Sequence, residues 1–330
     1  MQLSLLPGVE AQSRGYIQTC KSLQTGFFQN IRAIVLPYIT SDGWYLPETS
    51  HLLKREFWNT LEKLDDQTIM SRDFPFLKEV STELPMAASQ EQQVMEFEKI
   101  KSIWSNYSAT LLSFFNPSTS ITTVYCVPTT VGTFASFYLN HDTHTLTIWY
   151  RIDKGIEHFF HMVIAGVLQA CQDFDENNIT EWQLRQKMAD FIVEHSALHT
   201  ILPMTTNTLD FLNEGNANLV AQSTEYYQKL GFPVTSLFTV TTQGLTYQDK
   251  LLIGLTDSEK AVLELLIKHH GQLVSFDDCA VACWQDSAHS SFSLQAIAKV
   301  IQRIREKLRK NGIIFDPIFT VRKNGYILYD

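Results

Sequence analysis

Apolar residues mark out the elements of this chain before any motif does. Between residues 89 and 115, Val94, Phe97, Ile100, Ile103, Trp104 and Leu111 recur near helical spacing, which predicts a long amphipathic helix. Residues 10–36 and 50–65 also read as helical, with Pro37 and Pro47 punctuating the stretch between them. The pattern then changes. Residues 124–127, 133–139 and 145–151 are rich in β-branched and aromatic side chains, and residues 140–144 supply a turn between the last two runs. Helical patterns resume over 155–171, 180–195 and 209–230, and Gly231-Phe232-Pro233 makes a boundary. The expectation is an α+β protein: a mostly helical N-terminal domain over 1–232 with a small antiparallel sheet near its middle, followed by a separate domain over 236–330.

The second domain is more sharply patterned. Two short strand-like runs, 236–241 and 246–253, precede Leu255-Thr256-Asp257-Ser258-Glu259. There Thr256 can cap a helix while Glu259, three residues on, returns to the cap amide. Val262, Leu263, Leu265 and Leu266 face a core, and Gly271 supplies the left-handed residue that ends a helix. Ser275 and Asp278 repeat the capping arrangement for a shorter helix ending at Trp284, followed by a polar loop over 285–293. A third helix is predicted over 294–310. Leu294, Ile297, Ile301, Ile304 and Leu308 form its apolar stripe, while Gln295, Lys299, Gln302, Arg303 and Glu306 occupy other faces and Arg305, Lys307, Arg309 and Lys310 add charge. Two strands, 318–321 and 326–329, are joined through Arg322-Lys323-Asn324-Gly325, where Asn-Gly is a hairpin signal because both residues tolerate positive φ.

Charge sharpens this picture. The net charge of the 330 residues is −9, which argues against nucleic-acid binding by the whole surface. Residues 250–330, however, hold 11 Lys+Arg against 9 Asp+Glu, while residues 1–249 hold 15 against 26. Within 293–323 there are eight basic residues and only two acidic ones, Glu306 and Asp316. A basic helix followed by a hairpin with a basic tip is the arrangement in which the helix fits the major groove and the tip reaches the adjacent minor groove or phosphates. No apolar run approaches the eighteen or so residues of a membrane helix. The N-terminus does not read as a secretory signal. Five scattered cysteines, Cys20, Cys126, Cys171, Cys279 and Cys283, suit a reducing cytosol, so a cytoplasmic location without membrane contact is expected.

These C-terminal motifs resemble the OmpR/PhoB-type winged helix-turn-helix domain of response regulators. The family's "LT-x-x-E" opening is matched at residues 255–259, and its Leu-Leu at Leu265-Leu266. The family's Trp at the end of the second helix is matched by Trp284, its recognition helix by residues 301–308, and its "T-V-R-G-x-G-Y-x-L" wing by residues 320–328. The resemblance implies a sequence-specific transcription regulator bound to double-stranded DNA, with recognition helix 294–310 and wing 318–329. By the same resemblance Lys299, Gln302, Arg303 and Arg305 would face DNA, Trp284 and Thr320 would support phosphate contacts, and Arg322 would enter the minor groove beside Lys323. The chain departs from the family at the helix start, where Gln295, Ala296, Ile297 and Ala298 stand, and at Lys323, which replaces the first wing glycine.

The N-terminal half does not read as the phosphoacceptor receiver that usually accompanies such a domain, since it has no five-fold strand–helix alternation and no acidic pair after a first apolar strand. Residues 133–171 are faintly similar to zinc proteases, with Glu157-His158-Phe159-Phe160-His161 in place of H-E-x-x-H. Glu157 and His161 could share a metal, with Glu181 as a third ligand. The alternative, favoured on base rates, makes the two histidines ordinary core-edge residues between aromatic neighbours. No catalytic role and no cofactor are expected. An effector or a protein partner at the N-terminal domain, RNA polymerase and a homodimer remain open as partners. Two other functions compete with DNA regulation: a winged helix used for protein interaction, and a metalloenzyme-like domain targeted to DNA.

Overall fold

The computed structural model describes residues 1–31, 33–71, 74–84, 88–115, 121–172, 174–175, 178–202, 217–232, 236–248, 250–284, 293–313 and 316–329. The chain divides into two compact units, Met1–Phe211 and Leu212–Asp330. The expected loop at 285–292, the start of the expected helix at 209–216 and Pro233 lie outside the described residues.

The first unit runs β1 (Gln2–Leu5), α1 (Val9–Gln24), α2 (Phe27–Asn30), β2 (Val35–Leu36), β3 (Trp44–Tyr45), a 3-10 turn (Ser50–Leu53), α3 (Arg55–Lys63), α4 (Asp66–Met70), α5 (Leu77–Glu83) and α6 (Gln90–Phe114). It continues with β4 (Thr123–Thr129), β5 (Ala135–Asn140), β6 (Thr145–Arg151), α7 (Glu157–Cys171), α8 (Ile179–His195) and α9 (Leu198–Ile201). The predicted hairpin is β5–β6, antiparallel from Ala135 opposite Tyr150 to Asn140 opposite Thr145. Two parallel strands extend it, giving the order β1-β4-β6-β5. Strand β1 has no local partner. It pairs with residues about 120 positions later, which no local pattern announces.

Strand periodicity assigns the layers. Leu146 and Tyr150 of β6 point to one face, where Leu146 lies beneath Gly166 of α7 and Tyr150 meets Phe159. Trp149 points to the other face and donates its indole N–H to the Ala11 carbonyl of α1 at 2.7 Å. The sheet is therefore sandwiched between helices. Helix α6 starts at a capping box, Ser89 with Gln92, and lends Ile100, Trp104, Tyr107 and Leu111 to the core on the α7 side. Helix α7 is apolar around nearly its whole circumference and accordingly buried, from Phe159 to Leu168.

The second unit contains α10 (Ala217–Lys229), the meander β7 (Phe238–Thr241), β8 (Gly244–Tyr247) and β9 (Lys250–Leu251), α11 (Asp257–Lys268), β10 (Val274–Ser275), α12 (Phe276–Trp284), α13 (Leu294–Lys310), β11 (Ile318–Val321) and β12 (Gly325–Leu328). The run expected as one strand over 246–253 is broken at Gln248, whose φ is 48°, so that β8 and β9 fold against each other. The Thr256–Glu259 capping box is present, and Asp278 with Ser275 caps α12. Gly271, at φ 75°, follows the end of α11 and donates its amide to the Leu328 carbonyl at 3.0 Å. Strand order β10-β12-β11 makes the C-terminal hairpin the platform on which the three helices meet. Their shared core includes Val262, Leu263, Leu266, Cys279, Ile297, Ile301, Ile304, Leu308, Tyr326 and Leu328. Among the described residues, no helix is long and apolar enough to cross a membrane.

One close approach tests the packing of the first unit. A Cβ built on Gly15 of α1 would lie 2.4 Å from the Trp149 ring, well inside contact distance. Gly15→Ala should therefore destabilise the protein by about 1–3 kcal/mol despite the better helix propensity of alanine. Urea unfolding followed by tryptophan fluorescence would measure this, and an unchanged or raised midpoint would contradict the packing described.

Candidate nucleic-acid interface

Helix α13 is divided lengthwise by its own sequence. Ile297, Ile301, Ile304 and Leu308 are buried in the C-terminal core. Leu294, expected to begin this seam, is instead 56% exposed, because it sits one residue past the Ser293 cap and its neighbours in the core begin only at Ile297. At about 100° per residue, Gln295, Lys299, Gln302 and Glu306 fall within about 60° of one another on the opposite side, and all four are exposed. Arg303, Arg309 and Lys310 flank them and are exposed as well. Glu306 lies within this otherwise basic face and accepts a hydrogen bond from the Gln302 amide at 3.1 Å.

Two cations assigned to the helix surface by sequence are tied inward. The Arg305 Nε lies 2.6 Å from the Asp316 carboxylate, and its terminal nitrogen donates to the Ile318 carbonyl and, at 3.3 Å, to the Thr320 hydroxyl. Lys307 pairs with the buried Glu259 of α11. Burial alone would raise the Glu259 pKa, but Lys307 and the Thr256 amide and hydroxyl outweigh it and hold the carboxyl below its ordinary range. Both cations flank the buried seam in the helical projection, on opposite sides. Their position beside Ile301, Ile304 and Leu308 was the available signal, but charge alone does not separate an inward partner from an outward one. Lys299, Arg303, Arg309, Lys310, Arg322 and Lys323 make no ion pair among the described residues.

The hairpin β11–β12 follows α13 in the chain, from Ile318 to Leu328. Ile318 pairs with Leu328 and Val321 with Gly325, leaving Arg322, Lys323 and Asn324 exposed at the tip. The Asn324 amide closes the turn onto the Val321 carbonyl at 3.0 Å. Positive φ falls on Lys323, at 68°, and on Gly325, at 157°, but not on Asn324 as the Asn-Gly pair suggested. Lys323 thus holds a left-handed conformation where the resembling family has glycine, at a cost of roughly 1–2 kcal/mol. Gly325 has no alternative, since a Cβ there would lie 1.9 Å from the Val274 carbonyl oxygen of β10. Thr320 is exposed on β11, and Trp284, the last residue of α12, is half-buried against the C-terminal core.

The three residues weighed as metal-ligand candidates, Glu157, His161 and Glu181, are not gathered. Glu181, in the first turn of α8, accepts from the Asp175 amide at 2.7 Å and the Asn178 side chain at 3.3 Å. His161 faces Asp190 through Nε2 at 2.9 Å, nine residues further along α8. Nine residues of helix span about 13 Å, too far for one ion to be shared. Glu157 folds back over Gly155 at the start of α7. Among the described residues, no group of three or more His, Cys, Asp or Glu side chains is placed to hold a metal ion. His158 packs on the Phe134 ring at 5.6 Å. Burial, reinforced by His161, Lys154 and Arg151, pushes its pKa down to about 4. It is therefore neutral in the physiological range.

Residues 249–328, from just before β9 to the end of β12, match the model of a family described as "Transcriptional regulatory protein, C terminal". A solved chain titled "Structure of a lantibiotic response regulator: C-terminal domain of the nisin resistance regulator NsrR" also matches. It is 33% identical over 28% of this chain and 92% of that chain, with a TM-score of 0.23. Nothing among the curated proteins matches.

The Arg305 clamp carries a direct test. Arg305→Ala and Asp316→Ala should each destabilise the protein by about 0.5–1 kcal/mol, and the double variant should lose clearly less than the sum of the two. Chemical denaturation of the four proteins gives the coupling. Strict additivity would show that the two side chains do not act together.

Proposed function

Residues 249–328 belong to the OmpR/PhoB-type C-terminal DNA-binding domains of transcriptional regulatory proteins, and from that premise we propose that the chain is a sequence-specific DNA-binding regulator in which α13 enters the major groove and the β11–β12 tip reaches the adjacent minor groove. DNA-binding transcription regulation follows from the domain. The groove assignment and the residue roles are our own reading.

One observation carries that reading. The exposed side of α13 and the hairpin tip together present Lys299, Arg303, Arg309, Lys310, Arg322 and Lys323, none of which forms an ion pair among the described residues. Unpaired cations are what phosphate attraction requires, because a lysine or arginine already neutralised by a carboxylate releases no counterion from DNA. Lys299, Gln302 and Arg303 then contact base edges or phosphates from the helix, and Arg322 and Lys323 act from the tip. Thr320 and Trp284 support the backbone contacts. Arg305 is assigned a different role from the one its motif position implied: it joins the helix to the wing so that both engage one duplex together. The N-terminal unit supplies control in this reading, by holding an effector or a protein partner, and the chain acts by binding without a catalytic step. We place it in the cytosol with the DNA it contacts.

Duplex binding should weaken steeply as salt rises. Arg303→Ala and Arg322→Ala should each reduce affinity by about tenfold or more, read by fluorescence anisotropy on a selected site. Wild-type affinity in both variants would remove α13 and the wing from the interface.

A further inference from the structure

Helix α8 buries one mixed face against the rest of its unit and leaves large apolar residues exposed on the opposite side. Its inner face carries Arg185, Gln186, Ala189 and Val193, all buried, with Asp190 turned to His161 of α7. On the outer face Leu184 is 49% exposed and Phe191 is 64% exposed. Met188 lies between them, half-buried with part of its side chain against the core of the unit, and His195 sets its ring 4.6 Å from that of Phe191. The spacing 184, 188, 191, 195 is a straight seam of four and three residues, the repeat by which one helix packs on another.

Charge along the seam says what would cover it. Lys187 and Glu194 are both exposed and lie on the same flank, about 20° apart in projection and two turns apart along the axis. Lys187 has no ion pair among the described residues, and Glu194 meets only His195, at 3.9 Å. The midpoint between them falls at residues 190–191, beside Phe191. A two-fold axis at that point, perpendicular to the helix, reverses the helix direction and keeps the flank. It therefore sets Lys187 of one copy opposite Glu194 of the other, twice, while the two Phe191 rings meet near the axis. A surface whose charges match their own two-fold image is what an isologous interface needs. With 26 acidic residues against 15 basic ones in residues 1–249, self-association of this half is disfavoured unless a matched pair sets the register.

We propose that the outer face of α8 is a homodimerisation surface, packing antiparallel on α8 of a second copy through Leu184, Met188, Phe191 and His195, with reciprocal Lys187–Glu194 ion pairs. This does not depend on the DNA reading.

Sedimentation velocity of the full chain over a concentration series tests it, using the wild type, Phe191→Glu, Lys187→Glu, Glu194→Lys and the Lys187→Glu/Glu194→Lys double variant. All of these substitutions are at exposed positions, so folding is not at issue. The wild type should dimerise and Phe191→Glu should be monomeric. Each single charge reversal should weaken the dimer by about tenfold or more, and the double reversal should restore it to within about threefold of wild type. A wild type that stays monomeric throughout would overturn the proposal. So would a Phe191→Glu dimer of wild-type strength, or a double variant as weak as the singles. A heterologous partner using the same face would leave the wild type monomeric and so counts against it.

Discussion

The burial of Ile297, Ile301, Ile304 and Leu308 fixes the rotation of α13, and the character of the C-terminal unit follows from that rotation. Once the seam is locked into the core, the side carrying Gln295, Lys299, Gln302 and Glu306 has nowhere to face but solvent. Two ionic ties hold this setting from either side: Lys307 to Glu259 of α11, and Arg305 to Asp316 and the Thr320 hydroxyl. The second tie also joins the helix to the start of β11, through the Ile318 carbonyl and the Thr320 hydroxyl. Exposed ion pairs are weak individually. Here each links elements already brought together by a shared apolar core, and each is partly withdrawn from water.

The sequence was most legible where local rules agree with the tertiary structure. Both C-terminal capping arrangements, the bounds of α13 and, to within one residue, the two strands of the wing stand where cap residues and hydrophobic spacing put them. What could not be read was set by distant partners. Nothing local distinguishes Arg305, which turns inward to Asp316, from Arg303, which does not. Leu294 fits the apolar spacing but lies beyond the reach of the core. The wing turn takes its left-handed conformation at Lys323, while Gly325 is required by the close approach of the Val274 carbonyl of β10.

In the N-terminal unit, patterns located helices and the β5–β6 hairpin but did not give the architecture. Strand β1 joins the sheet through a partner far along the chain, and Gly15 matters because Trp149 happens to lie above it. The inverted histidine motif illustrates the same gap. Its letters suggested shared ligation, whereas the fold pairs His161 with Asp190 and carries Glu181 to the far end of α8. A helix such as α8, with apolar residues on both sides, is also invisible to single-face periodicity. Its second face becomes informative only when the structure shows that the first is already occupied.

The central claim is that the C-terminal unit presents a helix and a wing which read DNA sequence. Selection of bound duplexes from a randomised pool by the purified full chain, at physiological salt, tests this most directly. The account predicts enrichment of a defined motif, lost when the outward residues of α13 are replaced. Recovery of duplexes without any shared sequence, or no recovery at all, would contradict it.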